Sequence, residues 1–133
     1  MKRELVSLTL VLAAVCSVGP VLNSQKLRTE GQAWLERFTE APAVNVNGAW
    51  RSDDWGLVTL KHADGSRDVT GTGDGWEITG VVSGNKLYLL FCDDGEINYS
   101  AILEADGPKR LTGSYAKPLF TERARKRPMV LER

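Results

Sequence analysis

Five turn pairs set the architecture this chain can adopt. Asp64-Gly65, Asp74-Gly75, Gly84-Asn85, Asp94-Gly95 and Asp106-Gly107 follow one another at intervals of ten, ten, ten and twelve residues. Asp-Gly and Gly-Asn accept positive φ at little cost, which is what tight hairpin turns demand. The runs between them are apolar and β-branched, and each is long enough for one strand. The pattern predicts an all-β fold: an antiparallel up-and-down meander curling into a small barrel of seven or eight short strands, preceded by one amphipathic helix.

The strands follow from the alternation of side chains. Val58, Leu60 and His62 share one face of the run that starts at Leu57, and Trp76, Ile78 and Val82 share another. Leu87 to Cys92 is apolar on both faces and reads as the central strand. Ile97, Tyr99, Ala101 and Leu103 are expected to point inward from the next one. Val69-Thr70-Gly71, Ile78-Thr79-Gly80 and Leu111-Thr112-Gly113 each repeat apolar-Thr-Gly inside a strand. The apolar residue suits the inner face, Thr the outer, and Gly supplies the bend that a curling sheet needs. Pro128 to Leu131 offers a last short strand.

Ahead of the β-unit, residues 24–41 read as a helix. Thr29 and Gln32 have capping-box spacing, and Gly31, Trp34, Leu35 and Phe38 fall on one face. That face needs a partner, so the helix should pack on the β-unit through Trp34 and Phe38. With Trp50 it would form a plug for one barrel end.

Residues 1–22 carry a targeting pattern: Lys2 and Arg3, then the apolar run Leu5 to Val15. Three fates stay open: cleavage as a secretory signal, lipidation at Cys16, or retention as an anchor. An exported location follows, periplasmic or secreted, with or without a membrane tether. The chain thus divides into a leader (1–22), a helix (24–41), a β-domain (43–116) and a basic tail (117–133) with a net charge of +4. That tail suits an anionic partner or, more simply, a solvated loop before a closing strand.

Gly48-Ala49-Trp50 stands at the head of the first strand, after a short helix and before an antiparallel meander. In this it resembles calycin-type barrels, a group that includes lipocalins, avidin-like proteins and bacterial periplasmic protease inhibitors. The resemblance spans residues 43–115. It implies an eight-stranded barrel with a ligand mouth or an inhibitory surface, with Trp50 closing one end and Gly48 allowing close backbone passage. The chain departs from the group in having no second lipocalin motif and no biotin-site pattern.

Composition narrows the function further. Lys plus Arg and Asp plus Glu both number 17 in 133 residues, so no bulk charge draws the whole chain to nucleic acid. His62 is the only histidine, and there is no phosphate-binding loop and no nucleophile elbow. Asp53-Asp54 and Asp93-Asp94 suit turns; a hydrolase would have to pair Asp53 or Asp94 with His62. Cys92 has no intramolecular partner once a leader is removed, and suits a small buried position. The sequence therefore points to a non-catalytic binding module without cofactor or metal. Trp50, Trp55, Trp76, Tyr88 and Tyr99 are the candidate contacts for a small apolar or aromatic ligand or an envelope partner. The alternatives are a periplasmic hydrolase inhibitor or accessory protein, and a small hydrolase built on His62.

Overall fold

A computed structural model describes the backbone of residues 21–133 and the side chains from residue 25 onward; residues 1–20, which hold Cys16 and most of the expected leader, lie outside the described residues. Helix α1 (Val21–Glu36) precedes eight strands. These are β1 (Gly48–Ser52), β2 (Gly56–Lys61), β3 (Asp68–Gly73), β4 (Trp76–Ser83), β5 (Lys86–Asp93), β6 (Glu96–Ala105), β7 (Arg110–Ala116) and β8 (Arg127–Glu132). Each strand pairs antiparallel with the next, and β8 returns to β1 through Arg51 and Glu132, so the sheet closes into a barrel.

The turn pairs do what their chemistry demands. Gly65, Gly75, Gly84, Gly95 and Gly107 all have positive φ, as do Asp74 and Asp94. With Gly73 opposite Trp76 and Asp93 opposite Glu96, both Asp-Gly pairs form two-residue hairpins of the left-handed type that matches strand twist.

Three glycines bend the sheet, and they are the glycines of the apolar-Thr-Gly triplets. Gly71 lies opposite Leu60, Gly80 opposite Leu89 and Gly113 opposite Leu103. A Cβ at these positions would press into the carbonyl oxygens of Thr59, Tyr88 and Ile102 respectively. Only glycine lets neighbouring backbones approach so closely, so the triplets mark where the sheet curls.

Inside the barrel, Val58, Leu60, Val69, Leu87, Leu89, Phe91, Leu103 and Leu131 are almost wholly buried, and Trp50 lies among them. The interior is filled by its own side chains, as expected of a small eight-stranded barrel.

A second apolar cluster lies outside the barrel. Trp34 and Leu35 of α1 pack on Val81, Tyr88, Leu90 and Ile97. Gly31 permits the close approach, since a Cβ there would meet Ile97 Cδ1 at 2.5 Å. The helix therefore covers the flank of β4–β6 and plugs neither end. This also accounts for β5: it is apolar on both faces because one faces the interior and the other faces α1.

The expectations for Thr29 and Ile97 are corrected. Thr29 does not cap the helix; it lies inside α1, where its hydroxyl donates to the Gln25 carbonyl at 3.0 Å. Ile97 does not point inward. The β5–β6 register shifts between Phe91, opposite Tyr99, and Cys92, opposite Ile97, leaving Asn98 as an extra residue. Such a bulge reverses the facing of everything beyond it, which turns Ile97 toward α1.

The helix also stops at Glu36, short of the expected residue 41. Arg67, from the β2–β3 loop, donates Nε to the Phe38 carbonyl at 3.1 Å and Nη2 to that of Leu35. A guanidinium on the last carbonyls satisfies them and complements the negative end of the helix dipole.

Candidate functional site

In an up-and-down barrel, successive connections alternate between the two ends. The mouth carries the β1–β2, β3–β4, β5–β6 and β7–β8 connections. The base carries the β2–β3, β4–β5 and β6–β7 connections, together with residues 43–47 and the C-terminus.

The base is closed by its own residues. Trp50 is 1 % exposed, and its Nε1 donates to the Val46 carbonyl at 2.9 Å. The Arg133 guanidinium stacks over its ring at 4.2 Å, and its nitrogens donate to the carbonyls of Pro108, Asn47 and Asn45. His62 belongs to the same tie. Its Nδ1 accepts from the Val46 N–H at 3.1 Å, and its Nε2 lies 2.6 Å from the Ser66 carbonyl. With Nδ1 accepting, Nε2 carries the proton and donates to that carbonyl. Both ring nitrogens are thus occupied by backbone.

The mouth is built differently. The β1–β2 connection is residues 53–55, and although Trp55 sits on it, the ring folds inward and is only 8 % exposed. It lies 4.5 Å from the Phe91 ring centroid and 5.2 Å from those of Tyr99 and Tyr115, both edge-on, with Trp76 at 6.1 Å. Edge-to-face contacts of this kind place positive ring edges on negative faces. Trp55 Nε1 is buried and has no hydrogen-bond partner among the described residues. A buried donor left unpaired costs about 1–3 kcal/mol, so it calls for an explanation such as a ligand or water.

Two adjoining hollows open on this cluster and share Tyr99 and Tyr115. One, of about 230 Å³, is walled by Trp55, Trp76, Asp54 and Asp74. The other, of about 460 Å³, is walled by Ala116, Lys117, Arg125 and Arg127.

The five aromatic residues named as candidate contacts lie in three places. Trp55, Trp76 and Tyr99 meet at the mouth. Trp50 closes the opposite end. Tyr88 lies on the outer face, stacked on Phe38 at 3.7 Å and beside Trp34 at 5.9 Å. Burial, with smaller contributions from the Glu40 and Glu104 carboxylates, pushes the Tyr88 phenol up from its ordinary range. Tyr115 and the basic residues of the β7–β8 loop join the mouth instead. Turn parity could have found them, because Trp76, Tyr99 and Tyr115 are inward-facing residues near mouth-side turns.

No protein-family model matches this chain, and searches of curated proteins and of solved structures gave no match either.

The carboxylate–histidine pairing that a hydrolase would need is not assembled. Asp53 and Asp94 sit in mouth-side connections, whereas His62 is at the base. Among the described residues, no group of three metal-ligating side chains is gathered, and no helix is long and apolar enough to cross a membrane.

A third cleft, of about 470 Å³, runs between α1 and the outer face, with Arg28, Gln32, Glu77, Leu90 and Cys92 along it. Among the described residues that line it there is neither an aromatic ring nor an unpaired buried donor. Cys92 is free and half-buried. Burial first, then the Glu77 carboxylate, push its thiol up, while Arg28 pulls it partly back. A raised thiol pKa in the folded state lowers stability as pH rises above the unfolded value of about 8.5, because only the unfolded chain then gains thiolate. Native Cys92 is accordingly expected to react with iodoacetamide at pH 8 at least about tenfold more slowly than in the urea-unfolded chain. The mass of the Cys92 peptide after timed quenching measures this, and equal rates would refute the shielding.

Proposed function

We propose that this protein is an exported, non-catalytic binding module of calycin type that holds a small apolar or aromatic ligand at the barrel mouth. The convergence of Trp55, Trp76, Tyr99 and Tyr115 around an indole N–H without a partner among the described residues carries the reading. Ring faces and edges at a concave opening recognise planar or apolar molecules, and a small number of polar groups fix their orientation. The filled interior argues for a ligand seated at the mouth, not deep in the barrel. The calycin assignment draws support from the closed eight-stranded antiparallel barrel and from the buried Trp50 at its base.

Titration of the full chain with indole, 1-naphthol and a medium-chain fatty acid tests the reading. At least one probe is expected to change Trp fluorescence saturably and to raise the melting temperature. A ligand at one hundred times its Kd adds about 2.7 kcal/mol of stability. Trp76→Ala, at a half-buried position, should weaken that probe about tenfold. If all three probes leave fluorescence and melting temperature unchanged, the mouth is not a ligand site.

A further inference from the structure

We propose that the ligand bears a carboxylate, held by Lys117, Arg125 and Arg127 while its apolar frame rests on Tyr99 and Tyr115. This inference rests on the reading of the mouth as a ligand site and adds the charge of what binds there.

The basic tail is not one uniform patch. Lys126 is folded back on its own loop: its Nζ donates to the carbonyls of Thr121 and Glu122, and it lies 5.3 Å from the Phe120 ring centroid. Lys117, Arg125 and Arg127 instead line the larger hollow together with Tyr99, Tyr115 and Ala116. None of the three forms an ion pair among the described residues, whose pairs are Arg67–Asp68, Arg110–Asp106 and Arg110–Glu132. Lys117 Nζ lies 5.7 Å from the Tyr99 ring centroid, so one cation already sits against the aromatic surface that the ligand would use.

Three cations without an ion-pair partner among the described residues, beside the low-dielectric wall of a hollow, raise the local potential for an anion. Guanidinium groups also offer paired N–H donors that match a carboxylate. The opposite rim has the other sign, since Asp54 and Asp74 border the smaller hollow. An aromatic acid would be oriented by this contrast: its carboxylate turns toward the β7–β8 loop and its ring toward Trp55 and Trp76. The unpaired Trp55 N–H is fully shielded, so reaching it requires the Trp55 ring to shift; binding should therefore alter Trp55 emission.

The test compares naphthalene-2-carboxylate with naphthalene-2-carboxamide, which keeps the ring and removes the charge. On the full-length protein at low salt, the acid is expected to bind at least about tenfold more tightly than the amide. Raising the salt from about 20 to about 500 mM should narrow that gap through screening. In the triple variant Lys117→Gln, Arg125→Gln, Arg127→Gln, the acid-to-amide affinity ratio should fall to about one. Equal affinity for acid and amide in the unmodified protein, or a ratio that survives the triple substitution, overturns the charge assignment and leaves the aromatic mouth standing. If neither probe binds, the mouth reading fails and the inference falls with it.

Discussion

Trp50→Ala is expected to lower the unfolding free energy by about 3–5 kcal/mol, the range for truncating a buried aromatic side chain. Trp50 is 1 % exposed in the base of the barrel, so its removal opens a cavity that the surrounding strands cannot close without moving. Two further losses add to the cavity. The Val46 carbonyl loses the indole N–H that it accepts at 2.9 Å, and the Arg133 guanidinium loses the ring 4.2 Å beneath it. Arg133 also donates to three carbonyls around the same end, so the substitution loosens the lead-in to β1 and the end of β8 together. Trp50→Phe separates these effects, since it keeps an aromatic face for Arg133 and removes the indole hydrogen bond. Urea denaturation of the two variants measures the difference. A loss below about 1 kcal/mol for Trp50→Ala would show that Trp50 does not close the base, and would make it a candidate contact residue again.

How much of this was legible in the sequence depends on whether the cause was local. A hairpin turn is decided by two residues whose φ must be positive, so Asp74-Gly75 and Asp94-Gly95 announce themselves. The triplets are nearly as local, because a glycine between a Thr and a further strand residue has few other uses. Facing was readable wherever the alternation ran unbroken, as in Val58, Leu60 and His62. It failed at Ile97, where one extra residue, Asn98, shifts the register, and no composition signal marks that residue as a bulge. The helix ends were misread for a related reason. Thr29 and Gln32 satisfy a capping pattern, yet α1 begins earlier and turns the Thr29 hydroxyl to an internal carbonyl. Its actual C-terminal partner, Arg67, lies 32 residues beyond Leu35 in the chain.

The mouth was legible only in part because closure creates it. Trp55 stands on a loop, which by itself suggests exposure, and only the return of β6 and β7 around the barrel encloses its ring. Tyr88 lies apart from the mouth, and the sequence does not show this because a strand beside a helix is apolar on both faces. Composition cannot tell the face that looks into the barrel from the one that looks at α1.

Gly80→Ala and Gly113→Ala are expected to be more damaging than their single added methyl suggests. Overpacking a core usually costs about 1–3 kcal/mol, because side chains can shift to make room. Here the obstacle is backbone: the new Cβ would press on the Tyr88 carbonyl in one case and the Ile102 carbonyl in the other. Relief requires the strand pairs β4–β5 or β6–β7 to separate, and in a closed barrel such a shift passes to every other strand. The expected loss is therefore at or above the upper end of that range, enough to unfold much of a domain with marginal stability. Gly107→Ala is the matched control. Its added Cβ meets nothing within 4 Å, and the only cost is a φ of 79° in the left-handed region. That strain is worth about 1–2 kcal/mol. Thermal melts of the three variants should separate the two pinched glycines from the open one by several degrees. If Gly80→Ala and Gly113→Ala melt no lower than Gly107→Ala, the triplets are not the points at which the sheet bends. Closure of the barrel would then have to be credited to the side chains packed inside it.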